Sequence, residues 1–246
     1  MTITKFTTSF NSSQPSIGLA AITATTGSPT IDTTSRPGKT IYKFTGSGTI
    51  TVGTAGYAEI LVIGAGAGGY ASGAGAGGML YKTSFFLPAG TQTITVGAGS
   101  PGCNVSSRNS RPSNGGTSSV AGILYAFGGG TGGDNNGTYT TQASGRDGGS
   151  GGGGAYNGYA GLGISGQGND GGSGNPGGGG GAGGAGGDNV AGAGLANSIT
   201  GTSVTYSTGG AATGAGAGAA NTGQGGGGSS STGGAGGSGY VVIVTG

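Results

Sequence analysis

The chain has 246 residues, 71 of them glycine, and its 8 basic and 6 acidic residues leave a net charge of +2. Every lysine precedes Thr83, the last arginine is Arg146, and beyond Asp147 only Asp170 and Asp188 carry charge. No basic stripe exists to hold phosphates, so nucleic-acid binding is not expected. A single cysteine excludes an intrachain disulfide, and the absence of histidine removes His-based triads and most zinc sites.

In chain order, the opening Met1-Thr-Ile-Thr-Lys5-Phe lacks the apolar core of a signal peptide, so the product is expected to be made in a host cytoplasm, from which lysis can release it as part of a larger particle. Residues 1–56 are rich in Thr and Ser. They contain alternating stretches at Ile41-Tyr-Lys-Phe-Thr45 and Thr49-Ile-Thr-Val52, separated by turn signals at Gly27-Ser-Pro29, Arg36-Pro-Gly38 and Gly46-Ser-Gly48. This region reads as a small β unit with an extended N-terminal arm that docks on a partner or packs on its own domain. Residues 57–63 form a β-run. Residues 79–86 and 91–96 follow, joined by Leu87-Pro-Ala-Gly90, and 119–127 supplies another strand. The last strand, Tyr240-Val-Val-Ile-Val244, resembles the 57–63 run and is predicted to pair beside it. The longest apolar run, 58–69, contains Glu59 and is too short to span a bilayer; no membrane insertion is expected.

Between these strands glycine falls on a three-residue beat. In 177–187 the only interruptions are Ala182 and Ala185, with Asp188 in phase; near the end Thr232, Ala235, Ser238 and Val241 are again three apart. A period of three fits neither an α-helix nor a strand. It is the period of the extended polyproline II helix, with three residues per turn, about 3.1 Å rise and no internal hydrogen bonds. Two readings share this composition: a flexible Gly/Ser linker, and a packed bundle of polyglycine II helices in which any Cβ would hold backbones apart. Ordering each glycine costs about 0.5–1 kcal/mol more than ordering alanine, so a bundle requires lateral N–H···O bonds at roughly 0.5–1.5 kcal/mol each. Collagen is excluded by the 7 prolines and the lack of a strict Gly-X-Y repeat.

Motifs that carry chemistry are sparse. Gly64-Ala-Gly66-Ala-Gly-Gly69 after a strand matches G-x-G-x-x-G, yet no helix is expected there and no acid follows until Asp134. The same block recurs at Gly73-Ala-Gly-Ala-Gly-Gly78, which marks it as a repeat and not a dinucleotide site. The six acids stand singly, Cys103 reads as a loop thiol, and the sequons at Asn11, Asn104 and Asn136 read as chance matches. No catalytic, cofactor-binding or metal-binding set emerges. Larger side chains gather in the inserts 135–147, 155–170, 189–208 and 219–232 and in the polar loop 100–113. Tyr139, Tyr156, Tyr159, Tyr206, Arg108 and Arg111 are the residues interfaces favour; they are either displayed outward or form small local cores.

Ala58-Glu-Ile-Leu-Val-Ile-Gly-Ala-Gly-Ala-Gly-Gly69, Thr93-Ile-Thr-Val-Gly-Ala-Gly99, Asn114-Gly-Gly-Thr-Ser-Ser119, the 177–187 block, Ala220-Asn-Thr-Gly-Gln-Gly-Gly-Gly-Gly-Ser229 and Gly236-Gly-Ser-Gly-Tyr-Val-Val-Ile-Val244 occur in an order that resembles the glycine-rich domain of tailed-phage virion and tail-fibre proteins. The resemblance covers 57–246. The architecture is also similar to the glycine-rich tail-fibre tip adhesins of T-even-type phages, although the N-terminal region departs from them and the inserts are longer and less aromatic. The resemblance implies a mainly β fold plus polyglycine II: short strands with a packed bundle or sandwich of such helices and no significant α-helix. It divides the chain into a docking region, 1–56, and a glycine-rich domain, 57–246, closed by the C-terminal strand. It implies a non-enzymatic virion protein within a multi-chain assembly, bound to other virion proteins through its N-terminal region. Arg108, Arg111, Tyr139, Tyr156, Tyr159 and Tyr206 would then contact a host surface receptor. A structural spacer or decoration protein without a receptor is the alternative. An ice-binding protein would need Thr or Ala at one position in three over most of the chain, and the inserts break that regularity.

Overall fold

Alternation of β-branched and polar residues sets the strands. In Thr49-Ile-Thr-Val52 the isoleucine and valine are buried while the threonines face outward, the period of two that a half-buried strand requires. The computed structural model describes residues 18–104, 111–134 and 140–246. Its strands are β1 (Ala21–Thr25), β2 (Thr30–Asp32), β3 (Thr40–Phe44), β4 (Gly48–Thr54), β5 (Gly56–Ile63), β6 (Met79–Leu87), β7 (Gly90–Thr95), β8 (Ser118–Val120), β9 (Leu124–Ala126), β10 (Leu195–Asn197), β11 (Val204–Tyr206) and β12 (Tyr240–Thr245). The only α-helix among the described residues is the single turn α1 (Thr140–Ala143). The fold is thus mainly antiparallel β with essentially no helix.

Two five-stranded sheets, ordered β1-β4-β7-β8-β9 and β2-β3-β12-β5-β6, face each other. The chain crosses between them from β3 to β4, from β4 to β5 and from β6 to β7, the last through the predicted 87–90 turn. Ile50, Val52, Ile94 and Val120 from the first sheet meet Phe44, Ile60, Val62 and Ile243 from the second in one buried core. Burial of each such side chain favours folding by roughly 1.5–3 kcal/mol. The second sheet is covered on its other face too: Ile41, Leu61, Ile63, Val242 and Val244 pack with Ile199, Tyr206 and Tyr240 in a second core roofed by the β10–β11 hairpin. That double cover explains why β12 is buried at all six positions. β12 pairs with β5, Tyr240 opposite Ile63 and Val244 opposite Glu59, as predicted, and on its other side with β3, Val241 opposite Phe44.

Some boundaries differ from those read in the sequence. The 119–127 run is two strands, because Ala121 and Gly122 take φ of 56° and 62° and fold β8 back on β9, a left-handed conformation suited to tight hairpins. Strands before residue 57 share sheets with strands after it, β3 with β12 and β4 with β7, so the sheets do not divide at residue 56.

The glycine tracts bond sideways. Along 73–78 successive amides address three neighbours in rotation: Gly73 and Ala76 donate to the carbonyls of Gly177 and Gly180, Ala74 and Gly77 to those of Gly226 and Gly223, and Gly75 and Gly78 to those of Gly130 and Phe127, at 2.8–3.0 Å. Its carbonyls receive further tracts: Gly73 and Ala76 accept from Gly153 and Ser150, Gly75 and Gly78 from Ala67 and Gly64, and Ala74 from Gly210. Tract 73–78 is therefore surrounded. The same step of three recurs where Gly233, Gly236 and Gly239 donate to Cys103, Ser100 and Gly97. Such approach leaves no room for side chains at the contact. A Cβ on Gly75 would lie 2.1 Å from the Ser150 carbonyl oxygen, and one on Gly66 1.9 Å from that of Gln224. Ala65, Ala67, Ala74 and Ala76 are fully buried between them, so some positions admit a methyl and no more.

Connectivity orients the bundle. β5 runs out into 64–69, the chain turns at 70–72, and 73–78 returns into β6. Tracts 97–103, 127–133, 150–154, 207–211 and 223–229 also run outward, by their register with these two, and 177–182 and 233–239 run back. The sheets close one end; the turns between outward and returning tracts form the other.

Gly75→Ala should lower unfolding free energy by about 3 kcal/mol or more, since overpacking against backbone cannot relax through a rotamer. Gly216→Ala, where a Cβ meets nothing within 4 Å, should change it by less than about 0.5 kcal/mol; chemical denaturation of both variants checks the contrast. Burial raises the phenol pKa of Tyr240, with Tyr206 adding to the rise, to about 12, and burial with the Glu59 hydrogen bond raises Tyr81 to about 12. A raised folded-state pKa stabilises below the ordinary value near 10 and loses that stabilisation as pH passes the folded value. Denaturation midpoints should hold from pH 7 to 9 and fall between pH 10 and about 12, with tyrosinate absorbance rising in the same window.

Candidate functional site

The far end of the bundle is built on the 70–72 turn. Ser72 donates through Oγ to the Gly153 carbonyl at 2.7 Å and accepts the Gly133 amide at 2.6 Å, tying two tracts together. Ser229 donates its amide to the Tyr70 carbonyl at 2.8 Å, and Cys103 donates to that of Gly69 at 3.1 Å. The tracts that reach Cys103, Gly133, Gly153 and Ser229 thus meet at this turn. Beneath them sits a polar cluster that composition did not disclose: Tyr70 is fully buried, Asp134 and Cys103 nearly so. Neither Tyr70 Oη nor Asp134 Oδ2 makes a hydrogen bond among the described residues. Burial first, then the nearby Asp134 carboxylate, pushes the Tyr70 phenol well above its usual range, and burial also raises the Cys103 thiol. Tyr70 was legible in retrospect as the one large residue within 64–78.

The six candidate residues separate. Arg111 turns inward: Nε donates to Thr131 Oγ1 and Nη2 to the Gly132 carbonyl, each at 3.2 Å, and Nη2 also donates to the Ser144 carbonyl. Desolvation, followed by the neighbouring Arg146, lowers its pKa while Tyr70 and Asp134 oppose the shift. It ties the end of the polar loop 100–113 to the backbone at Gly132 and Ser144. Tyr156, at φ 53° beside the Ala155 turn, is 44% exposed, and its amide donates to Asn175 Oδ1 at 2.7 Å. Tyr159 is 81% exposed, and its backbone amide donates a hydrogen bond to Ser144 Oγ at 3.1 Å. Leu162 and Ile164 of the same insert also face outward, so the large residues of 155–170 are displayed. Tyr206 is not displayed; it stacks on Tyr240 with ring centroids 6.2 Å apart inside the second core. Its insert folds back onto the sheet because β10 and β11 pair, a short hairpin hidden between glycine blocks. Arg108 and Tyr139 lie outside the described residues.

The G-x-G-x-x-G amides are committed to other tracts: Gly64 to Gly78, Ala65 to Gly116, Gly66 to Gly237 and Gly69 to Gly234. Lone carboxylates serve loop backbones, Asp147 Oδ1 accepting the Leu162 amide and Asp170 Oδ1 that of Gly163, both at 2.7 Å. Among the described residues no group of three His, Cys, Asp or Glu is placed to hold a metal, and no helix is long and apolar enough to cross a membrane. The arrangement supports presentation of side chains on a braced backbone.

A family model described as a glycine-rich domain matches residues 43–245, so the chain belongs to that family. Neither the curated proteins nor the solved structures give a match.

Arg111→Ala should destabilise the chain by about 2–4 kcal/mol, the range for losing charge-assisted bonds to buried carbonyls. Tyr206→Ala should cost about 3–5 kcal/mol through the cavity it leaves. Tyr159→Ala should stay within about 0.5 kcal/mol of the parent; urea denaturation separates the three.

Proposed function

We propose that this glycine-rich domain protein is a non-enzymatic structural protein of a bacteriophage virion, a tail-fibre or other fibre or tip component that displays loops for attachment to a host receptor. The tracts are read as polyglycine II rods. The observation that carries this reading is the rotation of lateral hydrogen bonds by three neighbours every three residues, which is what a helix with three residues per turn produces. Rods held on all sides leave the loops between them little conformational entropy to lose on binding, and such preorganisation favours affinity.

The polarity of the chain supports the same reading. Gly18, the first described residue, accepts the Tyr57 amide at the outer end of β5, the end of the sheets opposite the loops. The N-terminal region then attaches to other virion proteins, while Tyr156, Tyr159 and the loops bearing Arg108 and Tyr139 meet the receptor. Arg111 acts as a support beneath them, and Tyr206 is withdrawn from the contact set. Localisation is the virion, after synthesis in the host cytoplasm.

Purified protein added to host cells should compete with phage adsorption. The double variant Tyr156→Ala/Tyr159→Ala should compete about tenfold less well, a loss of roughly 1.4 kcal/mol, while still entering particles. Full incorporation with no competition by the parent protein would instead favour a spacer or decoration protein without a receptor.

A further inference from the structure

The second sheet is least covered along the outer part of β5 and β6, where Tyr57, Tyr81 and Phe86 stay exposed. Its outer half presents Tyr57 and Glu59 of β5 and Tyr81 and Phe86 of β6 on one face, beside Arg36 from the β2–β3 turn and beneath the 198–203 loop. Arg36, Glu59 and Tyr81, with Asn197, Ser198 and Ser203 of the loop, line an open cleft of about 540 Å³. The volume lies within the roughly 300–1,000 Å³ of small-molecule sites.

Its polar groups are already aligned. Arg36 Nη1 donates to Glu59 Oε2 at 2.7 Å and to the Ile199 carbonyl at 3.2 Å; Tyr81 Oη donates to Glu59 Oε1 at 2.6 Å. The register shift between Ala58 and Ile60 sets Glu59 opposite two β6 residues, a bulge of the kind that re-aims side chains at sites. Ile199 is buried and pins the loop, and Asn197 Oδ1 accepts the Ile199 amide at 2.8 Å. The Arg36 and Glu59 side chains keep 28% and 16% of their surface, and the Tyr81 ring stays half open with Phe86 and Tyr57 stacked edge to face further along. Ser198 and Ser203 are exposed on the loop side of the cleft.

We infer that this cleft binds a neutral saccharide, with Tyr81 against the apolar face of a sugar ring and Arg36, Glu59, Ser198 and Ser203 exchanging hydrogen bonds with its hydroxyls. The cancelled charge of the Arg36–Glu59 pair argues against an anionic ligand or a cation. Alternation of an aromatic ring with paired donors and acceptors matches a ligand that carries both C–H faces and hydroxyls, and unpaired polar groups there would penalise an apolar ligand. The inference is independent of the far-end loops.

The test is a chemical-shift titration of the full chain with maltotetraose, chitotetraose and, as an acidic comparison, tetragalacturonate. At least one neutral tetrasaccharide should move the Tyr81 and 197–203 signals. Tyr81→Ala and Glu59→Gln should each weaken binding about tenfold or more, and Tyr81→Phe less, while Tyr156→Ala/Tyr159→Ala changes nothing. Tyr81→Phe keeps the ring and guards against misfolding of the alanine variant. Shifts confined to tetragalacturonate, no shift with either neutral sugar up to about 10 mM, or affinity unchanged in Tyr81→Ala would overturn the assignment.

Discussion

One contact organises this molecule: a backbone amide of one tract reaching a carbonyl of the next with no Cβ between them. At Gly75 and Gly66 the space a methyl would need is already occupied by a neighbour's carbonyl oxygen. Composition follows from that geometry. A bundle without side chains has almost no apolar area to bury, so its cohesion rests on satisfied backbone groups, whose failure in a buried site costs about 1–3 kcal/mol each. Ordering glycine is entropically unfavourable, and the bundle offsets this by bonding each tract to several others. Neighbours in space are far apart in sequence, as with Gly73 and Gly177 or Gly66 and Gly237, which makes the assembly cooperative and dependent on the sheets that close one of its ends.

The sheets supply what the bundle lacks. β5 and β12 are hydrophobic almost throughout because one face meets the opposing sheet and the other meets the β10–β11 insert. β5 leads directly into tract 64–69 and tract 233–239 directly into β12, so the register of the core sets the register of the glycine layers. Tract 73–78, fed from the same strand through the 70–72 turn, then positions its six surroundings.

Much of this was readable in the residues. The three-residue beat gave the sideways bonding its period, and the likeness of 57–63 to 240–244 pointed to their pairing. Short elements escaped: β10 and β11 have three residues each, and their hairpin depends on tertiary contact with the sheet more than on local pattern. That is also why Tyr206 looked displayed when it is a core residue. The Ala121-Gly122 reversal was hidden inside an apolar run. Side-chain groupings were least legible. Tyr70, Cys103 and Asp134 are brought together by three different tracts, and Arg36, Glu59 and Tyr81 by three turns and strands, so spacing along the chain holds no trace of either.

The placement of the two described chain ends has a mechanical consequence. Gly18 bonds to Tyr57, and Gly246 accepts the Lys39 ammonium beside β3, both at the outer margin of the sheets. β5, β12 and β3 pair side by side between those two points, so tension applied there would load these strand pairings before the glycine tracts. The bundle hangs from the sheets as a pendant, shielded from axial pull, and its loops can lengthen or shorten without altering the path that bears load.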